Sequence, residues 1–293
     1  MRRTFSPAEP CFLYKQIIHV NNITMKYKDI YYYKDELKDE FSGITRKTVT
    51  VDGNYRYSHG CLWRVASWVL YRLIMTPVAF IYMKLRFSMK VIGREKLKGY
   101  GSEGYFLYGN HTQIPGDGYM PTCITFPMRD VVVVHPDNVS LPGTKNFMEM
   151  IGALPIPNRI SGMEAFLREM QCSLNKGRCI VIYPEAHIWP YYTGIRPFTE
   201  VSFRYPVLYN RPVFCFTVTY QKRKDRHIRF ISGRVREPGI SVYVDGPFFS
   251  DVHENERQAA KILRNRVYET MVSRSANSDY EKIRYVRAET KNR

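Results

Sequence analysis

Residues 61–87 read CLWRVASWVLYRLIMTPVAFIYMKLRF, an apolar and aromatic run whose only charges are Arg64, Arg72, Lys84 and Arg86. Its uninterrupted stretch, Leu73–Met83, has 11 residues. A bilayer core of about 30 Å asks for about 20. Arg72 would be costly at the middle of a longer span, and Pro77 predicts a kink. Trp63, Trp68, Tyr71 and Tyr82 stand beside these cations. That arrangement predicts an amphipathic helical segment at a membrane interface, apolar face in the headgroup boundary and cations toward lipid phosphates. A buried core helix is the competing reading.

Before this run, residues 1–60 are short Tyr-rich pieces with turns at Asp52-Gly53 and His59-Gly60, an irregular lead-in. After it, residues 88–275 alternate between two periods. Apolar runs at Tyr105–Tyr108, Val131–Val134, Cys179–Tyr183, Val213–Tyr220, His227–Ser232 and Ile240–Val244 predict strands. Ser161-x-x-Glu164 reads as a capping box. It opens a helix that buries Met163, Phe166, Leu167, Met170 and Leu174 and closes at Gly177. A second helix, about 252–274, buries Ala259, Ile262, Leu263, Val267 and Met271. Residues 276–293 form a polar, basic tail. The expected class is α/β: a mixed, mainly parallel sheet flanked by helices, with an N-terminal interfacial helical segment.

Composition narrows the partners. The chain has 293 residues, 44 Lys+Arg against 27 Asp+Glu, and a net charge of +17, yet 44% of it is hydrophobic. The charge therefore decorates a folded body and favours an anionic partner. No zinc-finger spacing, RNP-like sequence or basic heptad helix is present, so nucleic acid is not expected. Six scattered cysteines without a C-x-x-C pair, and a basic start interrupted by Lys15 and His19, suggest reduced thiols and no secretory leader. Gly99-x-Gly101-x-x-Gly104 precedes a strand rather than following one, which excludes the dinucleotide fingerprint. Walker A, H-E-x-x-H and G-x-S-x-G sequences are absent. Cys123 has no base placed for it and reads as a buried apolar residue.

The chemistry concentrates in four patches. Asn110-His111 follows the first strand, and Asp117 lies six residues beyond His111 in NHTQIPGDG. The Pro115-Gly116 turn can fold Asp117 back beneath the imidazole. A carboxylate on one ring nitrogen fixes the tautomer and leaves the other free as a base. A loop histidine beside an aspartate that caps the next helix is the alternative. The second patch is Gly152…Asn158-Arg159, which puts Arg159 near a helix N-terminus. The third is Tyr183-Pro184-Glu185-Ala186-His187, at the carboxyl end of a strand, where α/β sheets collect ligands. The fourth is Arg211-Pro212-Val213. His187, Trp189, Tyr191 and Tyr192 form an aromatic cluster suited to lining a pocket.

These patches, in this order over about residues 85–245, resemble the four blocks of the lysophospholipid and glycerol-3-phosphate acyltransferase superfamily. The chain also looks like its bacterial 1-acylglycerol-3-phosphate acyltransferase-like members. The resemblance implies a glycerolipid acyltransferase-like fold and a lipid O-acyltransferase, peripheral or monotopic on the cytosolic face of the cell membrane. His111 would act as general base and Asp117 would orient it. Asn110, Asn158, Arg159, Pro184, Glu185, His187 and Arg196 would bind substrate. No metal or cofactor is implied. The partners would be an anionic membrane surface, an acyl thioester donor (acyl-CoA or acyl carrier protein) and a lysolipid acceptor.

Three departures from the family pattern stand out. Five residues separate His111 from Asp117 where four are usual, and the Pro-Gly turn can bulge out the extra one. Ile188 fills the position of the Arg in Pro-Glu-Gly-Thr-Arg, leaving His187, Arg159 or Arg196 to replace a phosphate contact. Thr199-Glu200 stands where a basic pair commonly follows Pro-Phe. The last two weaken lysophosphatidic acid as the acceptor and admit a lyso-aminolipid. A non-catalytic basic membrane-binding module is the further alternative.

Overall fold

The computed structural model describes residues 18–20, 23–25, 29–41, 49–57, 59–139, 145–223, 237–251 and 254–288. In chain order the strands are β1 (Ile18–Val20), β2 (Ile23–Met25), β3 (Asp29–Tyr33), β4 (Lys90–Ile92), β5 (Tyr105–Gly109), β6 (Asp130–Val134), β7 (Ala153–Pro155), β8 (Cys179–Ile182), β9 (Val213–Gln221), β10 (Gly239–Phe248) and β11 (Ile283–Arg287). The α-helices are α1 (Cys61–Val69), α2 (Thr76–Phe87), α3 (Gly116–Thr125), α4 (Lys145–Met150), α5 (Met163–Asn175), α6 (Arg204–Tyr209) and α7 (Glu256–Ser275).

Seven strands form the central sheet in the order β4-β10-β9-β5-β8-β6-β7, with β5 at its centre. All neighbours pair in parallel except β9 with β10. This is the mixed, mainly parallel sheet the alternation predicts. In β5, Phe106 and Tyr108 face one core with Phe166, Met170 and Leu174 of α5 and Leu263, Val267 and Met271 of α7. Tyr105 and Leu107 face the other, with Met120, Cys123 and Ile124 of α3 and Ala79, Met83 and Phe87 of α2. The period-2 pleat thus feeds two helical layers, and both faces of β5 are dry. The expected strand His227–Ser232 lies outside the described residues. Gly99 and Gly104 take φ of +94° and +69° in the turn leading into β5.

The helix over 61–87 runs farther than its 11-residue apolar core suggests. It is one helix of 27 residues, long and apolar enough by length and composition to cross a membrane, and only 22% of its most apolar window is buried. A π-helical turn, Leu70–Met75, joins α1 to α2 and seats Pro77 in the first turn of α2. Thr76 donates both its amide and its hydroxyl to the Tyr71 carbonyl, five residues back. That insertion keeps Ser67, Tyr71, Thr76, Ala79, Met83 and Phe87 on one buried face. Leu62, Val65, Trp68, Leu73, Ile74 and Ile81 are exposed on the remainder. A buried core helix does not look like this. Arg72 folds back, donating to the Pro127 carbonyl at 2.6 Å.

Three local expectations change. Ser161 makes no cap, because its hydroxyl accepts the Gly53 amide at 3.3 Å and Gly162 precedes α5 without a side-chain cap. The final helix is capped by Asn255, which accepts the Gln258 amide at 2.9 Å. Residues 283–287, expected within a loose tail, form β11 and pair in parallel with β3 of the lead-in. Trp189 is enclosed by that pairing. It stacks on Tyr285 at 4.8 Å and meets Tyr33, Phe41 and Tyr192 within 5.3 Å. Its ring is fully buried and its Nε1 donates to the Asp39 carbonyl. Trp189 is a packed core ring.

Candidate active site

β5 ends at Gly109, and its glycine is required. A Cβ there would stand 2.1 Å from the Phe216 ring of β9. Asn110 then continues the ladder with its side chain, accepting the Val218 amide at 2.8 Å and donating to the Val218 carbonyl at 3.2 Å. Asn110 is fully buried, so its amide anchors the strand end beneath the site.

The chain turns through Thr112–Pro115 and enters α3, whose first turn contains Asp117. Asp117 Oδ2 accepts from the Gln113 amide at 2.9 Å and meets His111 Nδ1 at 2.7 Å. The five-residue spacer is absorbed by the turn. Asp117 lies in the first turn of α3 and beneath the imidazole, but it does not cap the helix, which starts after Pro115 without a side-chain cap. Burial raises its pKa, and the bond to His111 and the Gln113 amide oppose the rise. The His111 side chain stays 24% exposed. Nδ1 is committed to Asp117, so Nε2 is the nitrogen available for proton transfer. Tyr183 stacks on the imidazole at 4.7 Å and donates to the Asp117 carbonyl at 2.5 Å. Phe216 meets Tyr183 edge-on at 5.9 Å. Tyr183 thus stacks on His111 and is held edge-on by Phe216. Tyr183 and Gly109 were missed as site residues, although a glycine ending an apolar strand signals close approach.

Glu185 lies behind this stack, within reach of the same loop. Its Oε2 accepts the His111 amide at 3.3 Å and Arg196 Nη2 at 3.2 Å, and its Oε1 accepts the Arg196 amide at 3.1 Å. Arg196 also donates to the His187 and Glu36 carbonyls and lies over the Trp189 ring. Both side chains of this pair are 0% exposed. The structure brings Glu185 and Arg196 together, paired with each other.

The other expected residues are spread along the same edge. His187 Nδ1 is 3.4 Å from Glu40 Oε2 on the lead-in arm. Pro184 is half-buried and closes β8. Ile188 is buried, its carbonyl accepting the Phe41 amide. Asn158 holds the 49–51 segment, donating to the Val49 carbonyl and accepting the Val51 amide. Arg159 is exposed after β7, three strands from β5. The site loop is tied to the turn after β5, where Trp189 and Tyr191 amides donate to the His111 and Thr112 carbonyls. Cys123 is buried, its thiol pushed up to about 12 by burial. No group of three His, Cys, Asp or Glu among the described residues could hold a metal ion.

No family model and no curated protein matches the chain. The structure is similar to the crystal structure of the 1-acyl-sn-glycerophosphate (LPA) acyltransferase PlsC from Thermotoga maritima. The TM-score is 0.51 at 14% identity, over 74% of this chain and 84% of that one. At that identity the likeness is one of fold, and this chain has the PlsC-type acyltransferase fold.

Proposed function

We propose that the protein is a membrane-surface O-acyltransferase that moves a fatty acyl group from a thioester, acyl-CoA or acyl carrier protein, to a lysolipid hydroxyl. The observation that carries this reading is the 2.7 Å contact between His111 Nδ1 and Asp117 Oδ2 at the carboxyl end of the central strand. His111 Nε2 takes the proton of the acceptor hydroxyl. The oxygen attacks the thioester carbonyl carbon, the C–S bond breaks, and the leaving thiolate takes the proton from the imidazolium. Asp117 holds the tautomer and stabilises the imidazolium between these steps. Holding both substrates against one base supplies a large share of the rate.

The acceptor is a lysolipid whose head group does not depend on an arginine at position 188. Ile188 is buried, and Arg196 is spent on Glu185. A lyso-aminolipid fits these facts as well as a 1-acylglycerol-3-phosphate-like acceptor. The exposed apolar face of Cys61–Phe87 and the charge of +17 support association with an anionic membrane, and the cytosolic face is the proposed side because its leaflet carries the anionic lipids. His111→Ala should lower acyl transfer by about 10²–10⁴-fold while thermal unfolding and liposome binding stay unchanged. Wild-type turnover in that variant, with acyl-CoA and a lysolipid panel, would refute the mechanism.

A further inference from the structure

A cavity of about 160 Å³ opens on the opposite edge of the sheet from His111. Trp63, Arg64 and Ser67 of α1 line it, with Arg129 from the entry to β6 and Lys176 and Arg178 from the entry to β8. β5, β6 and β8 are parallel. These cations therefore sit at the strands' amino ends and His111 at a carboxyl end, roughly 15 Å apart along the strands.

The cavity has more positive charge than its own carboxylates use. Arg64, Arg129, Lys176 and Arg178 face two acids, Glu149 and Glu169. Glu149 is engaged by the Tyr55 hydroxyl and by His59 Nε2 at 3.1 Å. Glu169 accepts from Ser173, and burial pushes its carboxyl up, toward the neutral form. Arg129 is lowered to about 10, by burial first and then by the neighbouring Arg178. Arg129 Nη2 holds Ser67 and the Met150 carbonyl. Its Nε and the Trp63 Nε1 are buried without a hydrogen-bond partner among the described residues. Two buried donors without partners, on residues that line the cavity, and two mutually repelling guanidinium groups are what an anion with several acceptor oxygens would satisfy.

The surroundings identify the anion's source. Trp63 and Arg64 share α1 with Leu62, Val65 and Trp68, which are exposed and apolar. The far end of the same continuous helix packs beside the site, with Tyr82 5.3 Å from Tyr119 of α3. At 27 residues the helix is about 40 Å long, enough to reach from the cavity to the His111 turn. We propose that the cavity binds the phosphate of an anionic membrane lipid, separate from any acceptor at His111, and so holds the helix in the membrane plane. The proposal rests on the membrane reading of Cys61–Phe87 and not on the His111 chemistry.

The test is binding of the full chain to phosphatidylcholine vesicles with and without phosphatidylglycerol. R64Q/R178Q should weaken binding to the anionic vesicles about tenfold or more, at about 1 kcal/mol per cation near such a surface. The charge-matched control R257Q/K261Q, on the exposed face of α7, should lose far less. Equal losses in both variants would overturn the site in favour of diffuse surface charge. Trp63→Phe keeps the shape and removes one donor, so it should reduce the preference for phosphatidylglycerol and leave phosphatidylcholine binding unchanged. If R64Q/R178Q unfolds, this variant decides alone, and an unaltered preference overturns the proposal. In a W68F background, which leaves Trp63 and the buried Trp189, the emission change absent from W63F/W68F should respond saturably to soluble short-chain phosphatidylglycerol at lower concentration than to inorganic phosphate. An equal response to both would assign the cavity to free phosphate and overturn the lipid source. Loss of phosphatidylcholine binding by R64Q/R178Q would overturn the membrane reading beneath the proposal. Acyl transfer to a detergent-dispersed acceptor should be unchanged in R64Q/R178Q, which separates this test from that of the mechanism.

Discussion

Two ion pairs lie one hydrogen bond apart at the carboxyl end of the central sheet, and they are built for opposite purposes. His111–Asp117 keeps its imidazole 24% exposed, and Glu185–Arg196 is sealed at 0% on both sides. The first has a ring nitrogen left to exchange a proton. In the second, Glu185 takes two backbone amides and a guanidinium, and Arg196 spends itself on that carboxylate, two carbonyls and an indole face. An acid and a base at a candidate active site can therefore be framework. Exposure separates the pair suited to reaction from the pair suited to shape, since each pair also holds one buried polar atom without a partner among the described residues, Asp117 Oδ1 and Arg196 Nε.

The largest expected effects fall on this contrast. Asp117→Asn should lower kcat by about 10²–10⁴-fold, because the imidazole loses the carboxylate that fixes its tautomer and stabilises its charge. Its stability should change little. Arg196→Met should do the reverse, destabilising the fold by about 3–5 kcal/mol by stranding the Glu185 charge. The deficit should shrink in acid as Glu185 takes up a proton. Glu185→Gln in the same chain should restore part of it, since Gln removes the buried charge and its one carbonyl oxygen still accepts one of the two amides. Denaturant unfolding and single-turnover acyl transfer on the same samples measure both. An Arg196→Met deficit below about 1 kcal/mol would place the pair among exposed bridges and erase the contrast.

A smaller effect separates the pairs by pH. Burial raises the Asp117 pKa above its ordinary 3.8. Below 3.8 the folded and unfolded chains both hold this proton. As the pH climbs, the unfolded chain releases it first, so each increment up to the raised value favours unfolding. Asp117→Asn lacks that penalty. Its stability relative to the natural chain should rise between pH 3.8 and neutrality, by urea unfolding across that range. The opposite slope would mean that the His111 bond outweighs burial.

How much of this was legible in the sequence follows from the range of each interaction. Strand positions and the two helical stripes were readable because they are periodic. The His111–Asp117 contact was readable because Pro115-Gly116 marks a turn between them. The Glu185–Arg196 pair was not, because the intervening loop has no period and both residues read as ordinary ligands of an anion. Ser161 matched a cap by letter, yet its hydroxyl is taken by Gly53, 108 residues away in sequence. The β3–β11 pairing joins residues 254 positions apart, Asp29 with Ile283, and short polar-flanked strands carry no sign of a partner at that distance.

The smallest effect is at Ala186, between the members of the sealed pair. Ala186 takes φ of +63°, in the left-handed region, where the resembled family pattern has glycine. Its amide donates to the Tyr183 carbonyl at 3.1 Å and its side chain is exposed, so the backbone holds this turn without side-chain packing. An alanine in that region costs about 1–2 kcal/mol. Glycine removes that strain but adds about 0.4–1 kcal/mol of unfolded-state entropy. The difference predicts that Ala186→Gly stabilises by about 0.5–1 kcal/mol, a rise of about 2 °C in Tm for a chain of this size. Activity should be unchanged if Glu185 and Arg196 impose the turn. If Ala186→Gly instead loses activity at equal or greater stability, the turn's rigidity comes from residue 186, and the sealed pair is not what shapes the site.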